Sequence, residues 1–329
     1  MMIERPFDNA RDRRTPRTDA SLYSLVEDFF RNTFTTDNPL ITEAIKRMLQ
    51  AGGKRLRPRI TLLAAEANGA IAEDHLHLAA YMELIHVATL IHDDVVDNAQ
   101  TRRGVNATAV DYGNRISVLA GDYLFAWIFK NVTAQYPHPV PNILSATLAD
   151  ICDGEVLQLR ALGNLDLDLA AYVEIVMKKT ASLFAASAQC GAIMGGGQAL
   201  QVKALRDFGM YYGIAFQMMD DLLDMTADAQ SLGKPVGNDL AERKITIPLI
   251  LALARADGDT RALVERFYQG DQDGQTAAVI AAIERCGGLD GTREQIAQYA
   301  HRAKLSLRPL ENSPAKAELG RLADALLAE

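Results

Sequence analysis

The stretch that decides the fold is "ELIHVATLIHDDVVDNAQTRRG", residues 83–104, in which an apolar segment ends in a cluster of carboxylates. Its apolar residues recur at helical spacing and not in alternation, so the segment predicts an α-helix. Asp93 and Asp97 are four residues apart and share one face of that helix, with Asp94 beside them. Three ionised carboxylates at this spacing repel one another unless a cation compensates their charge. Taken alone, the stretch fits a solvated surface cluster as well as a metal site.

A second stretch repeats this pattern further along the chain. "MMDDLLDMT", residues 218–226, places Asp220, Asp221 and Asp224 at the same DDxxD spacing, again after an apolar helical run. Two matching acidic faces favour a functional role over simple solvent exposure. Carboxylate oxygens suit Mg²⁺, which keeps some water ligands and is typically completed by substrate phosphates. We therefore predict that the two clusters face each other across a bundle and bind several divalent ions.

The composition restricts the classes of protein to which the chain can belong. The chain has 329 residues, of which 49% are hydrophobic and 23% charged, and its formal net charge is −8. These values are typical of a globular protein with a large core, and the acidic balance argues against a nucleic-acid-binding protein. Its three cysteines are far apart and odd in number. They predict free thiols in a reducing cytoplasmic environment and no zinc site or disulfide framework.

The remaining sequence predicts helices from end to end. Apolar residues recur at helical spacing in the segments 21–34 and 205–226, and alternating runs bounded by hairpin turns are missing. Residues 1–18 are charged and contain proline, which predicts a mobile tail without the apolar core of a signal peptide. No shift in composition marks a domain linker. Residues 19–329 are therefore predicted to form a single all-α domain.

One uncharged segment is long enough to be considered as a membrane span. Residues 180–202, "TASLFAASAQCGAIMGGGQALQV", exceed the minimum length that crosses a bilayer. They contain Gln, Ser and Thr, three consecutive glycines and few large apolar side chains. We therefore predict a buried helix of small residues that ends at the glycines 195–197, and no transmembrane segment.

Basic residues provide candidate phosphate ligands. Guanidinium groups match the geometry of phosphate, and neighbouring glycines allow the backbone to approach it. His86 is a further candidate because it precedes Asp93 by seven residues, two turns along the same helix face. Taken singly, each of these residues fits a solvated surface charge or a core histidine equally well. The basic candidates are Lys54, Arg57, Arg102, Arg103, Lys179, Lys234 and Lys244.

With these residues assembled, the chain resembles the trans-polyprenyl diphosphate synthases from about residue 20 onward. The resemblance depends on motifs in the family's order: "GGKRLRP", "ELIHVATLIHDDVVDNAQTRRG", "GEVLQL", "KTASLF", "FQMMDDLLD", "GKPVGNDL" and "RKITIP". It implies an isoprenoid-synthase-type helical bundle around a deep central cavity, and a homodimer. It also implies a prenyltransferase that condenses an allylic diphosphate with isopentenyl diphosphate, using Mg²⁺ (three ions with substrate bound).

The resemblance also implies roles for individual residues. The expected Mg²⁺ ligands are Asp93, Asp94, Asp97, Asp220, Asp221 and Asp224. The residues expected to hold the leaving diphosphate or line the reacting end are Arg102, Lys179, Lys234, Thr180 and Gln217. Those expected to bind isopentenyl diphosphate are Lys54, Arg57, His86 and Arg103. Lys244 occupies the position of a family lysine in the substrate-binding loop, although Arg243 before it replaces the commoner glycine.

Small residues before the first acidic cluster indicate a long product. Family members with short products place bulky aromatic residues four or five positions before the first Asp, where this chain has Thr89 and Ala88. Ile85 and Met82 lie further along the same stripe of the helix. The resemblance therefore implies an octaprenyl-to-decaprenyl diphosphate for a quinone side chain, released with transient membrane contact.

The sequence alone leaves several functions open. The chain could be a synthase of shorter, C15–C20 prenyl diphosphates, or a catalytically inactive partner subunit of an active synthase. A metal phosphohydrolase of the HD type would need further metal-binding histidines. A class I terpene cyclase would normally carry an Asn/Ser/Glu-containing second motif in place of "DDLLD".

Overall fold

The computed structural model describes residues 19–102, 104–226, 236–270 and 274–327, which are almost entirely helical. The α-helices are, in chain order, α1 (Asp19–Asp28), α2 (Pro39–Gln50), α3 (Leu56–Glu66), α4 (Glu73–Val96), α5 (Thr108–Gln135), α6 (Val140–Ala161), α7 (Leu169–Val176), α8 (Ser182–Met194), α9 (Ala199–Thr226), α10 (Asn238–Ala241), α11 (Ile247–Leu253), α12 (Gly258–Tyr268), α13 (Thr276–Arg285), α14 (Gly288–Ser306) and α15 (Pro314–Ala325). The predicted all-α fold is confirmed, and the predicted tail over residues 1–18 lies outside the described residues.

Two kinds of local structure interrupt the α-helices. π-Helical segments over Phe29–Thr33 and Met177–Ala181 follow α1 and α7. A small antiparallel hairpin pairs β1 (Thr101–Arg102) with β2 (Val105–Asn106) directly after the first acidic cluster. The hairpin was not predicted because strands of two residues are too short to show an alternating pattern.

The chain divides into two compact units. Unit 1 contains Met1–Ile143 and Ser187–Val202, and unit 2 contains Leu144–Ala186 and Lys203–Glu329. The boundaries between the units fall within α6, α8 and α9. The expectation of one domain over residues 19–329 stays a prediction.

In unit 1, α4 is the principal core helix. It packs against α3 and α5, and α5 also packs against α2. Leu78, Met82, Leu84 and Ile85 of α4 have no exposed area, as expected for a helix that is apolar on most sides. The apolar run before the first acidic cluster therefore forms core structure, and the carboxylates follow where that helix ends.

In unit 2, the middle of α9 packs closely against the start of α8 and the end of the π-helical segment before it. A Cβ at Gly209 would lie 2.4 Å from the carbonyl oxygen of Phe184, and one at Gly213 would lie 2.6 Å from Ala181 Cα. These distances are too short for any side chain, so glycine is required at both positions. The close approach brings the helix that carries the second acidic cluster beside the π-helical segment.

The helix of small residues has the predicted form. α8 ends at Met194, directly before the three glycines. Among the described helices, none combines the length and the apolar character that a bilayer crossing requires.

Candidate functional site

The first acidic cluster lies at the C-terminal end of α4 in unit 1. Asp94 is 0% exposed, and its Oδ1 accepts hydrogen bonds from Arg102 Nε at 2.8 Å and Nη2 at 2.5 Å. Strand β1 therefore brings Arg102 back onto the cluster that precedes it. Burial raises the pKa of Asp94, and the guanidinium of Arg102 opposes that shift. Asp93 and Asp97 are half-buried on either side.

One feature of this cluster fits a divalent-cation site. Asp94 Oδ2 is buried and has no hydrogen-bond partner among the described residues. An unsatisfied buried oxygen is costly, and a cation would satisfy it. In the part of the chain that the structure describes, no three His, Cys, Asp or Glu side chains already form a metal site. Water and substrate oxygens would have to complete the coordination, as they commonly do for Mg²⁺.

The second acidic cluster lies at the end of α9 in unit 2, and its first two carboxylates differ in environment. Asp220 is exposed, whereas Asp221 is 3% exposed. Tyr172 donates its hydroxyl hydrogen bond to Asp221 Oδ2 at 2.6 Å, and Gln217 Nε2 donates to Oδ1 at 2.9 Å. Thr180 Oγ1 donates to Gln217 Oε1 at 3.0 Å. Thr180 and Gln217, both predicted from the sequence as site residues, are thus in direct contact.

Asp224, the third carboxylate of this cluster, is held by the first turn of α10 and the residue before it. Its Oδ2 accepts a hydrogen bond from the backbone N–H of Asp239 at 3.1 Å. Its carbonyl oxygen accepts another from the N–H of Gly237 at 2.7 Å. The cluster is therefore tied to the chain after the undescribed residues 227–235. Since the two acidic clusters belong to different units, their predicted facing arrangement stays a prediction.

The π-helical segment Met177–Ala181 carries two adjacent lysines of unit 2, Lys178 and Lys179. Such segments are rare and frequently occur at functional sites. Lys179 forms an ion pair with Glu155 of α6 and is mostly buried, whereas Lys178 pairs with the exposed Asp153. The two adjacent lysines therefore have different partners, and the sequence-based choice of Lys179 stays a prediction. Sequence reasoning assigned no role to Glu155, although it lies within the quoted motif "GEVLQL".

The structure describes three of the four residues expected to bind isopentenyl diphosphate, and all three belong to unit 1. Lys54 is exposed just before α3, and Arg57 is buried in its first turn. His86 is half-buried in α4, the helix against which α3 packs. Arg103 and Lys234 lie outside the described residues.

Arg55, between the candidates Lys54 and Arg57, has a structural role. Its Nε donates to Glu27 Oε1 at 2.7 Å, its Nη1 to Glu83 Oε1 at 3.0 Å, and its Nη2 to the carbonyl oxygen of Leu49 at 2.7 Å. Its guanidinium also lies 5.2 Å from the ring centroid of Phe30. Burial lowers the pKa of Arg55, but the two carboxylates outweigh burial and raise it. The residue therefore joins α1, α2 and α4 at the start of α3.

The loop that carries Lys244 has the backbone shape expected of a glycine. Arg243 has φ 61°, in the left-handed region that favours glycine. Its carbonyl oxygen accepts a hydrogen bond from the N–H of Gly163 at 2.9 Å, and Tyr268 donates its hydroxyl to the Lys244 carbonyl at 3.0 Å. Lys244 Nζ pairs with Glu242 at 2.6 Å. The loop thus keeps its left-handed turn despite the arginine that the sequence places there.

The four residues proposed to control product length are unequal in burial. Met82, Ile85 and Ala88 have no exposed area, whereas Thr89 is half-buried and donates its hydroxyl to the carbonyl oxygen of His86 at 2.8 Å. Of these four positions, Thr89 therefore has the most room for a larger side chain.

We expect Asp221 to contribute to the pH dependence of the unfolding free energy of the metal-free protein. Burial raises the pKa of Asp221 to about 6, above its ordinary 3.8. Between these two values the folded state holds a proton that the unfolded state has released, so this carboxyl destabilises the fold increasingly as pH rises. Asp221→Asn should therefore become progressively more stable than the unchanged protein between pH 4 and pH 6, as measured by urea unfolding with a chelator. A stability difference that is independent of pH over this range would contradict the assignment.

Comparison with known proteins gives a consistent result across most of the chain. A family model described as polyprenyl synthetase matches residues 38–286. The octaprenyl diphosphate synthase of Escherichia coli K12 is 38% identical over 280 residues, which are 85% of this chain and 87% of that protein. A short chain isoprenyl diphosphate synthase of Methanothermobacter thermautotrophicus is 38% identical over 309 residues, which are 92% and 95% of the two chains. The crystal structure of a decaprenyl diphosphate synthase from Rhodobacter capsulatus is 41% identical, with 94% and 96% of the chains covered and a TM-score of 0.88.

Proposed function

Because the chain belongs to the polyprenyl synthetase family, we propose that it condenses an allylic diphosphate with successive isopentenyl diphosphates into a long-chain all-trans polyprenyl diphosphate. The observation that carries this proposal is the presence of both DDxxD clusters, each at the end of an apolar helix, within the matched residues 38–286. The octaprenyl and decaprenyl synthases among the relatives support a long product. We further propose that this product supplies the side chain of a quinone.

The two acidic clusters are the proposed Mg²⁺ sites. When bound, Mg²⁺ would neutralise diphosphate oxygens and so stabilise the leaving group of the condensation. The unsatisfied Oδ2 of Asp94 and the exposed carboxylate of Asp220 support this assignment. The proposed ligands are Asp93, Asp94, Asp97, Asp220, Asp221 and Asp224, and the number of ions stays a prediction.

Basic and polar side chains would hold the diphosphates. Arg102 and Lys179 are each fixed by a carboxylate, Asp94 and Glu155 respectively, so both cations are already oriented before a substrate binds. Such preorganisation reduces the cost of binding a highly charged group. The residues proposed for the allylic diphosphate end are Arg102, Lys179, Lys234, Thr180 and Gln217. Lys244 is proposed as a substrate-binding residue. Lys54, Arg57, His86 and Arg103 are proposed for isopentenyl diphosphate.

The apolar surroundings fit the chemistry of the proposed reaction. Loss of the allylic diphosphate leaves a carbocation, which must be kept from water until the double bond of the second substrate attacks it. The apolar run of α4 leads directly to the first acidic cluster. We propose that the growing hydrocarbon chain lies along α4 and that its diphosphate end lies at the carboxylates.

Thr89→Phe is expected to shift the product to shorter chains. Thr89 is half-buried and lies four residues before Asp93, so a phenyl ring there would obstruct a chain that lies along this face. Ala88→Phe should also shorten the product. It should in addition destabilise the protein by about 1–3 kcal/mol, because Ala88 has no exposed area. Chromatography of the dephosphorylated products measures the distribution of chain length.

Leu90→Phe is the matched control for this prediction. Leu90 is also half-buried on α4, but it lies on the side of Thr89 away from Ala88, about 100° from Thr89 and about 200° from Ala88 around the helix. The control variant should give the same chain length as the unchanged protein. An unaltered product distribution in Thr89→Phe would contradict the proposed path of the growing chain.

One assay tests the proposed function. The purified protein is supplied with Mg²⁺, farnesyl or geranylgeranyl diphosphate and labelled isopentenyl diphosphate, and the products are separated by length. Octaprenyl to decaprenyl products are expected. Products of C15–C20 would instead support a shorter-chain synthase, a second candidate that the short chain isoprenyl diphosphate synthase at 38% identity favours. A folded protein without product would support an inactive partner subunit.

Family membership also argues against a metal phosphohydrolase and a terpene cyclase, since the matched family covers most of the chain. The homodimer, the cytoplasmic location and the membrane contact during product release stay predictions.

A further inference from the structure

We propose that Tyr172 is a positioning residue for the second acidic cluster. Its hydroxyl fixes the carboxylate of Asp221, and through Asp221 it fixes the amide of Gln217, in the orientation that binds a Mg²⁺-diphosphate. This inference deepens the proposed function and rests on it.

Four side chains from three separate segments form one continuous chain of hydrogen bonds. Thr180 in the π-helical segment donates to Gln217, Gln217 donates to Asp221, and Tyr172 of α7 donates to the other oxygen of Asp221. The distances are 3.0, 2.9 and 2.6 Å. Tyr172 is 4% exposed, and Asp221 is buried beside it. Three of these residues were proposed as site residues from the sequence, and Tyr172 is the member that was not.

The directions of these hydrogen bonds are fixed by chemistry. An ionised carboxylate only accepts, so both Tyr172 and the Nε2 of Gln217 must donate to Asp221. The Oε1 of Gln217 then points to Thr180 and accepts its hydroxyl. Because each side chain has one compatible role, the position of each determines the orientation of the next. The Tyr172 hydroxyl lies at one end of this series of hydrogen bonds, and the proposal does not require a substrate to contact it.

The Tyr172 hydroxyl acts only as a donor to Asp221. A phenol has an ordinary pKa of about 10, so its hydroxyl is protonated at neutral pH. Without the Tyr172 hydroxyl, Asp221 would lose one donor and keep those of Gln217 and the Ile247 backbone. The carboxylate would therefore be less firmly oriented.

A simpler interpretation is that Tyr172 only fills the core of unit 2. Its ring is buried, and a core tyrosine also needs a partner for its hydroxyl. The two interpretations predict different effects when the hydroxyl oxygen of Tyr172 is removed. A purely structural residue would affect stability alone, whereas a positioning residue would also affect the binding of Mg²⁺ and diphosphate.

The test compares Tyr172→Phe with Tyr136→Phe. Tyr136 is also a buried tyrosine, and its hydroxyl donates at 2.6 Å to the backbone carbonyl of Asp74 in unit 1. The probe is inorganic pyrophosphate with Mg²⁺, and its affinity is measured by titration calorimetry. Tyr172→Phe should bind it about tenfold more weakly, as expected when a hydrogen bond to a charged group is lost. Tyr136→Phe should bind it like the unchanged protein, although both variants lose some thermal stability.

Steady-state kinetics provide a second readout. In Tyr172→Phe the KM for the allylic diphosphate and the Mg²⁺ requirement should rise, while the KM for isopentenyl diphosphate should stay the same. Asp221→Asn, which retains the side-chain shape, should also weaken pyrophosphate binding. Adding Tyr172→Phe to it should cause little further loss, because coupled residues are not additive.

Three outcomes would overturn the proposal. They are unchanged pyrophosphate affinity in Tyr172→Phe, unchanged affinity in Asp221→Asn, or fully additive losses in the double variant. Should Tyr172→Phe fail to fold, the Asp221→Asn measurement still decides whether this carboxylate matters for binding. Absence of any prenyl product from the unchanged protein would instead contradict the proposed function. The two failures are therefore distinguishable.

Discussion

Asp220→Asn is expected to lower kcat by about a hundredfold to a thousandfold, the range seen when one preorganised charge-stabilising group is removed. Asp220 is the exposed carboxylate of the second cluster, whereas Asp221 and Asp224 are buried and hydrogen-bonded within unit 2. Its replacement should therefore remove a proposed metal ligand without disturbing packing. Initial rates of isopentenyl diphosphate incorporation at saturating substrate and Mg²⁺ measure the effect. Thermal unfolding should give the same midpoint for both proteins.

Asp150→Asn is the control for this prediction. Asp150 is likewise an exposed aspartate within a helix of unit 2, α6, and it belongs to neither acidic cluster. The same change of charge at this position should leave kcat unaltered. If Asp220→Asn retained the full rate at saturating Mg²⁺, the second cluster would not have the proposed role in metal binding.

Arg55→Met is expected to destabilise the protein by about 3–5 kcal/mol, the cost of breaking a buried ion pair from one side. Glu83 is 2% exposed and has its Oε1 bound to Arg55, so the variant would leave a buried carboxylate without its cation. The link to Glu27 and the carbonyl of Leu49 would be lost as well. Urea unfolding followed by circular dichroism measures the change in unfolding free energy.

Lys54→Met, at the adjacent position, is the control for Arg55→Met. Lys54 is exposed, so its loss should change the unfolding free energy by less than about 0.5 kcal/mol. The double variant Arg55→Met, Glu83→Met should regain much of the stability lost in Arg55→Met, because it removes the uncompensated charge. A double variant no more stable than the single one would show that the ion pair with Glu83 is not the main source of the loss.

Much of the fold follows from local patterns that a sequence displays directly. Helical spacing of apolar residues predicted a helix that ends at the first acidic cluster, and α4 spans Glu73–Val96. The glycines 195–197 predicted the end of α8, which lies at Met194. These features depend on neighbours within a few residues, where periodicity and helix-ending residues carry the information.

Side-chain partners between distant segments could not be predicted in this way. Tyr172 and Asp221 are 49 positions apart, and nothing in the local sequence of α7 indicates which residue its tyrosine will meet. Arg55 and Arg57 are both arginines of one motif, yet tertiary packing gives Arg55 two carboxylate partners and a structural role. Burial likewise separates Ala88 from Thr89, which the sequence treats alike.

The π-helical segment Met177–Ala181 has a consequence for how this protein can change over evolution. A π-helical turn contains about one residue more than an α-helical turn, so it accommodates an additional residue within a continuous helix. Deleting one residue there would close the wide turn to an α-helical one and leave α7 and α8 in nearly the same relative rotation. The residues of the segment itself would face other directions, and Thr180 would turn away from Gln217. Related chains should therefore vary in this segment by substitution and keep its length constant.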